Sequence, residues 1–413
     1  MKKVLLGLLP ILMVACGDPT DTENVDNEPY SGVWRGVIAL NDSVDLPFNF
    51  ELETAEDSSM TLFIFNGDEE IETSVSRVSK DSIKIEMPVF ANYIVAKLGS
   101  DNLQGTYINP DAENYRLPFT ATYGDSARFE ITEPKCCDIN EKWAVKFNPE
   151  TENERPAIAY FEQYGKVVKG TFATETGDYR YLQGVLSGDH LQLSAFDGAH
   201  LFLFDAKVIG QTIEGLFYSG RSGFKTWKAY RDDDFELRNA DSLTYLKEGY
   251  SKVDFSFNNL KGEPVSLSDP KYDGKPVIVQ IMGSWCPNCM DETRYLSQVY
   301  DQYNDEGLEI IGLTFERAKN KEMALARANK MVNDLSIEYP VLLAGATKDH
   351  NAAELLPMLN HIMSFPTAIY LNADHTVRKI HTGFSGPGTP LYEEFTAKDQ
   401  TVIEEILKTQ AGE

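Results

Sequence analysis

The hydrophobic period of this chain changes once, near residue 232, and that change constrains its fold more than any other feature of the 413 residues. Between about 30 and 230 the apolar residues alternate over short runs such as 34–40, 48–53, 62–66 and 82–87, separated by turn triplets like Asn66-Gly67-Asp68 and Ser187-Gly188-Asp189. Short period-two runs with breaks of this kind predict an antiparallel meander without long helices. After a polar connector at 232–250 the pattern becomes strands alternating with helices. The chain is therefore expected to be multidomain, with two β-rich modules, each a barrel or a sandwich, followed by an α/β domain with a mixed sheet at 251–413.

The β-rich half reads as a duplication. Residues 76–107 align with 183–217: each has a polar turn with Asp81 or Asp189, an alternating strand, a second strand near Phe90 or Phe196, and Gly105 or Gly215 ahead of an aromatic. The modules are placed at 30–133 and 138–231, and closure of each sheet would remove its exposed edges. Tyr179, Tyr181, Phe196, Phe202 and Phe217 stand at strand spacing, which predicts core positions before a ligand cavity. Binding a partner, or spacing the next domain, is the expected role of this half.

Residues 1–15 have a basic start at Lys2 and Lys3 and then an apolar run to Ala15. Twelve helical residues reach only ~18 Å, short of a ~30 Å hydrocarbon core, so the run is an export signal and not a span. Its end, Met13-Val14-Ala15-Cys16, resembles the lipobox of bacterial lipoproteins, which implies cleavage before Cys16 and acylation of its sulfur. Residues 16–29 have the composition of a solvated acidic tether. The expected location is the cell envelope, with the protein lipid-anchored to a bacterial membrane and facing the periplasm or the cell surface. Charge excludes one partner class. The chain holds 64 acidic against 38 basic side chains, and a surface without a basic stripe cannot bind nucleic acid by displacing counterions.

Five cysteines, Cys16, Cys136, Cys137, Cys286 and Cys289, are too few to staple a chain of this length. Adjacent Cys136 and Cys137 could close only a small, strained ring, which makes them a possible second redox pair; two reduced thiols, or a pair bridged outside the chain, are the other readings.

In the last 160 or so residues the pattern predicts a hairpin at 253–257 and 265–267, a buried strand at 276–282, a helix at 287–303 and a strand at 308–315. A helix at 319–335, a strand at 340–343, a helix at 351–360, strands at 367–372 and 376–381, and a helix at 399–409 complete it. At the end of the buried strand stands Gly283-Ser284-Trp285-Cys286-Pro287-Asn288-Cys289. A Cys-x-x-Cys at a strand-to-helix junction puts the first sulfur at the helix N-terminus, where unpaired N–H groups and the dipole favour a thiolate. Cys286 is thus the expected attacking group and Cys289 the resolving one, with Pro287 pre-set for the first helical turn.

These residues, with Ser364-Phe365-Pro366-Thr367 ahead of a strand, resemble the TlpA/ResA-like thiol-disulfide oxidoreductases of the thioredoxin superfamily over about 253–407. The resemblance implies a thioredoxin-like domain and a cis-proline loop at Phe365-Pro366 facing the sulfurs. It further implies substrate contacts from Trp285, Pro287, Phe365 and Pro366 and an active-site acid at Glu292. Its partners would be disulfide-containing protein substrates and an upstream thiol donor, with no cofactor. Departures are Gln280, where classical thioredoxins carry a buried acid, Arg294, where the helix often has proline, and Ser364 before the loop.

A metal site is not expected, because no second Cys pair or paired histidine spacing follows. Peroxidase chemistry is a weaker reading, since a peroxiredoxin's Pro and Thr/Ser positions are Val279 and Gly283 here. The competing class is a binding or scaffold lipoprotein whose thiols are idle.

Overall fold

The computed structural model describes residues 28–347 and 351–410; the signal segment, Cys16 and the tether up to residue 27 lie outside them. Both β modules are barrels. In the first, eight strands from Gly32–Asn41 to Tyr115–Tyr123 each pair antiparallel with the next, and the first closes on the last with Trp34 opposite Tyr123. Trp34, Ile38 and Leu40 alternate inward along the first strand, as period-two pleating requires. A Cβ on Gly36 would lie 2.6 Å from the ring of Phe48, so glycine is what lets that ring fill the interior.

The second barrel runs from Glu141–Phe147 to Gly223–Tyr230, which pair with each other to close it. A two-residue strand, Gly177–Asp178, is appended to Val167–Thr174 outside the ring. The segments aligned in the sequence occupy the same places in both rings. The fourth to seventh strands are Glu69–Ser79, Ser82–Glu86, Tyr93–Leu98 and Asn102–Asn109 in one. They are Leu182–Ser187, His190–Phe196, Leu201–Ile209 and Thr212–Ser219 in the other. Phe202 and Phe217 lie in the second core with Tyr179 packed against it, while Tyr181 lines a surface hollow instead. Phe196 leaves its own barrel: its ring lies 4.6 Å from that of Phe48, and its backbone exchanges two hydrogen bonds with the buried Asn66 amide.

In the C-terminal domain seven strands lie in the order Pro264–Ser266, Ser256–Asn259, Val341–Thr347, Glu309–Ala318, Val277–Met282, Thr367–Leu371, Val377–Thr382. The three middle members Val341–Thr347, Glu309–Ala318 and Val277–Met282 are parallel and the remaining pairings antiparallel, so the sheet is mixed. Val277, Val279 and Ile281 pack on one side of this sheet, Ile278 and Met282 on the other, which explains the unbroken apolar run.

Two predicted helices differ in extent. That expected at 351–360 is only Ala352–Leu355, because Pro357 offers no N–H and forces Leu356 out of the helical region. The last begins at Tyr392, not 399, because Tyr392 and Phe395 belong to an aromatic cluster with Tyr295 and Phe384. The hairpin strands are shifted and short, at Ser256–Asn259 and Pro264–Ser266.

The barrels pack directly on this domain. Asp334 Oδ2 accepts from the Val89 amide at 2.7 Å, Lys330 donates to the Met87 carbonyl at 3.1 Å, and Arg327 pairs with Asp111. The connector is laid along the domain as well, with the Lys247 and Asn360 amides bonded to the Met358 and Tyr245 carbonyls. No helix among the described residues is long and apolar enough to cross a membrane.

Candidate active site at a strand-to-helix junction

Strand Val277–Met282 hands the chain to a helix, Pro287–Tyr303 (α1), through Gly283-Ser284-Trp285-Cys286. Cys286 is the N-cap, extended at φ −109° and ψ 110°, and its sulfur accepts from the Cys289 amide at 3.3 Å. This is the place where a helix leaves N–H groups unpaired, so negative charge on sulfur is stabilised by hydrogen bonding and by the dipole. Pro287 opens the helix. Cys289, one turn in, is fully buried, and burial followed by the neighbouring Cys286 raises its thiol well above the usual range. One sulfur therefore caps the helix and the other is kept protonated.

The distal loop meets these sulfurs. The Phe365–Pro366 bond is cis, and the Cys286 thiol donates to the Phe365 carbonyl at 3.3 Å. Trp285 stands beside them, its indole N–H donating to the Phe315 carbonyl at 2.8 Å and its ring 5.3 Å from that of Phe365.

Beneath Cys289 lies a buried polar layer. Gln280 donates to Glu292 Oε2 at 2.9 Å, and its own carbonyl oxygen accepts from Thr293 and Tyr339 at 3.2 Å each. Glu292 is 1% exposed, and its Oε1 has no partner. Burial raises its carboxyl to about 8, with Asp399 adding to the effect against the Gln280 hydrogen bond. The amide at 280 thus orients the acid at 292.

Among the described residues no hydrogen bond or ion pair links Cys136 or Cys137 to the Cys286–Cys289 site. Both are free thiols, Cys136 exposed and Cys137 packed on the second barrel. Desolvation, then Cys136, raises the Cys137 thiol to about 11, which makes it a poor thiolate near neutrality. Among the described residues no cluster of three or more His, Cys, Asp or Glu is placed to hold a metal ion.

Several residues of the site carry no sequence signal of their own. Glu316, buried at the end of its strand, accepts from the Ser284 amide at 3.1 Å and hydroxyl at 2.6 Å and so holds the turn before Trp285. Arg317 stacks over the Trp285 ring at 3.2 Å. The break from an apolar run to Glu316-Arg317 at the carboxyl end of a parallel strand was the available clue, since that edge is where such sheets place ligands. Asn288, Ser364 and Asp291 are held by residues 176–180 of the second barrel, more than a hundred positions away, and no local pattern announces that contact.

Residues 249–380 match the model of the AhpC/TSA family. The chain is 30% identical over 140 residues to the thioredoxin-like protein YneN of Bacillus subtilis, covering 33% of this chain and 73% of that protein. It is 27% identical over 149 residues to the thiol-disulfide oxidoreductase ResA of Halalkalibacterium halodurans, covering 36% of this chain and 75% of that one. A solved structure described as a putative thiol:disulfide interchange protein DsbE from Chlorobium tepidum aligns with a TM-score of 0.31 and 21% identity, over 40% of this chain and 99% of that one.

Proposed function

We propose, for a chain that belongs through its C-terminal domain to the TlpA/ResA-like thiol-disulfide oxidoreductases of the thioredoxin superfamily, that it reduces protein disulfides in a bacterial cell envelope from a lipid anchor at Cys16. The observation that carries the chemistry is the Cys286 sulfur capping α1 with a protonated, buried Cys289 one turn behind it.

The Cys286 thiolate attacks one sulfur of a substrate disulfide, forming a mixed disulfide and releasing the other sulfur as a thiolate. Cys289 then gives up its proton and attacks Cys286, which releases the second substrate thiol. The substrate gains two electrons and two protons, the enzyme is left with a Cys286–Cys289 disulfide, and a dithiol donor restores it. Phe365 and Pro366 set the loop against which the substrate sulfur arrives, and Trp285 and Pro287 flank it. Glu292 takes the Cys289 proton.

That last role has a pH signature. Resolution of the mixed disulfide should rise with pH through about 8, the region where Glu292 ionises. In Glu292→Gln that limb should vanish from the single-turnover rate while mixed-disulfide formation is unchanged. Stability should move too. A carboxyl raised from 4.5 to about 8 on folding stabilises most below pH 4.5, and this is lost as pH climbs through 8. The isosteric amide should therefore unfold later than wild type at pH 9 and no later at pH 5. A retained pH 8 limb in the variant would assign proton transfer elsewhere.

The anchor rests on the sequence from Val4 to Cys16, and an envelope location fits a reductase because disulfides persist there. The expected result of fatty-acid labelling is incorporation into wild type and none into Cys16→Ala, with the variant leaving the membrane fraction. An unlabelled, fully soluble wild type would make this a freely diffusing secreted oxidoreductase.

A further inference from the structure

We propose that residues 174–180 of the second barrel form a specificity strap across the dithiol, so that it accepts disulfides carried by small molecules or extended chains and excludes those set in a folded surface. The proposal rests on the reading of Cys286 as the attacking thiol.

The strap crosses between the two loops that flank the sulfurs. The Ser364 hydroxyl, one residue before the cis bond, donates to the Thr176 carbonyl at 2.7 Å. Asn288, inside the Cys-x-x-Cys, donates to the Asp178 carbonyl at 3.1 Å, and the Gly386 amide donates to Asp178 Oδ2 at 2.6 Å. Packing along this line is close. A Cβ on Gly177 would stand 2.4 Å from Asn288 Nδ2, and one on Gly383 would stand 2.9 Å from the Thr176 carbonyl carbon.

Both ends of the strap are fastened by arginine. Arg238 holds Glu175 through two bonds of 2.5 and 2.6 Å at the surface. Arg180, 2% exposed, pairs with Asp291 of α1 at 2.9 Å, with Asp197 at 3.2 Å and with Glu69 of the first barrel. One side chain thus ties the two barrels to the helix that carries the thiols.

The consequence is directional access. Cys286 retains 7% exposure, and the side bounded by Asn288 and Ser364, where a flat protein surface would lie, is filled. Two hollows open beside Trp285, the neighbour of the sulfur: a groove of about 410 Å³ lined also by Phe315, Arg317, Ile362 and Phe365 among others, and one of about 330 Å³ that Phe90, Asp111 and Ala199 of the barrels share with Arg317. The larger groove, with the rings of Trp285, Phe315 and Phe365 along it, admits a chain or a small disulfide edge-on. Arg317 has no carboxylate partner among the described residues and lies on this groove, which suits substrates with an acidic group beside the disulfide.

Single-turnover oxidation of the reduced protein tests this, with bis(2-hydroxyethyl) disulfide as the small probe and native insulin as the folded one. Arg238→Glu, which sets two acids against each other at an exposed end of the strap, and Arg180→Gln at the buried end provide independent releases. The expected result is a rise in the insulin rate of at least about tenfold in Arg238→Glu, with the small-disulfide rate unchanged. An insulin-to-small-probe ratio equal to that of wild type in both variants would overturn the strap. A wild-type dithiol inert to both probes would instead defeat the reading of Cys286 on which the strap's role depends.

Discussion

Replacing Cys286 with Ser is expected to bring dithiol-driven disulfide reduction down to the uncatalysed background, whereas Cys289→Ala is expected to stall the protein as a mixed disulfide with its substrate. The asymmetry follows from the site. Cys286 is the sulfur that accepts an N–H at the start of α1 and touches the Phe365 carbonyl; serine there has no accessible anion near neutrality and attacks sulfur poorly. Cys289 is fully buried with its thiol raised, so it cannot meet a substrate and acts only on a disulfide already formed at Cys286. The check is a turnover assay for the first variant and a non-reducing gel or intact mass for the second. Full turnover by Cys286→Ser, or accumulation of the mixed species in Cys286→Ser instead of Cys289→Ala, would reverse the assignment.

The second large effect concerns the joint between the barrels and the redox domain. Arg180→Met is expected to cost about 3–5 kcal/mol of stability at pH 7, because removing one member of a buried ion cluster strands the others. Here the stranded groups would be the buried Asp291 and Asp197 and the largely buried Glu69, gathered around the guanidinium. The pH dependence gives the test its specificity. Even with the arginine present, burial, against Arg180, leaves Glu69 raised to about 7, and burial with Asp291 raises Asp178 to about 6. Asp197 is instead held well below the carboxylate range, burial being outweighed by His200 and Arg180.

Carboxyls raised on folding stabilise below their unfolded values and lose that contribution as pH rises through 6 to 7. The variant, with no cation to offset them, should therefore lose less at pH 5 than at pH 8. Urea unfolding of both proteins at the two pH values checks this; an equal cost at both would mean that the cluster titrates outside this window.

How much of this could be read in advance depends on the range of the interaction involved. Alternation along 34–40, the turn residues and the aligned 76–107 and 183–217 are local signals, and they were enough for two β modules with matching strand order. The Cys-x-x-Cys was legible for the same reason: a buried strand, a helix-opening proline and two sulfurs one turn apart are properties of the fourteen consecutive residues 276–289. The helix expected at 351–360 stops at Leu355, because the local geometry ahead of Pro357 decides its end. The choice of barrel over sandwich was not in the sequence, since alternation specifies an inward face and not whether the first strand reaches the last.

Composition and period by themselves determined the architecture class of each part, and the motif determined the chemistry. The tertiary structure alone decided what surrounds the sulfurs. Thr176, Gly177 and Arg180 belong to no motif in the sequence, and Asn288 is one of the two unspecified positions of the Cys-x-x-Cys. Only folding two barrels against one sheet places a single guanidinium among carboxylates from three regions and lays a barrel loop across the dithiol. Apart from Arg180–Asp197, these contacts join residues more than a hundred positions apart and depend on where whole surfaces meet, which no local period encodes.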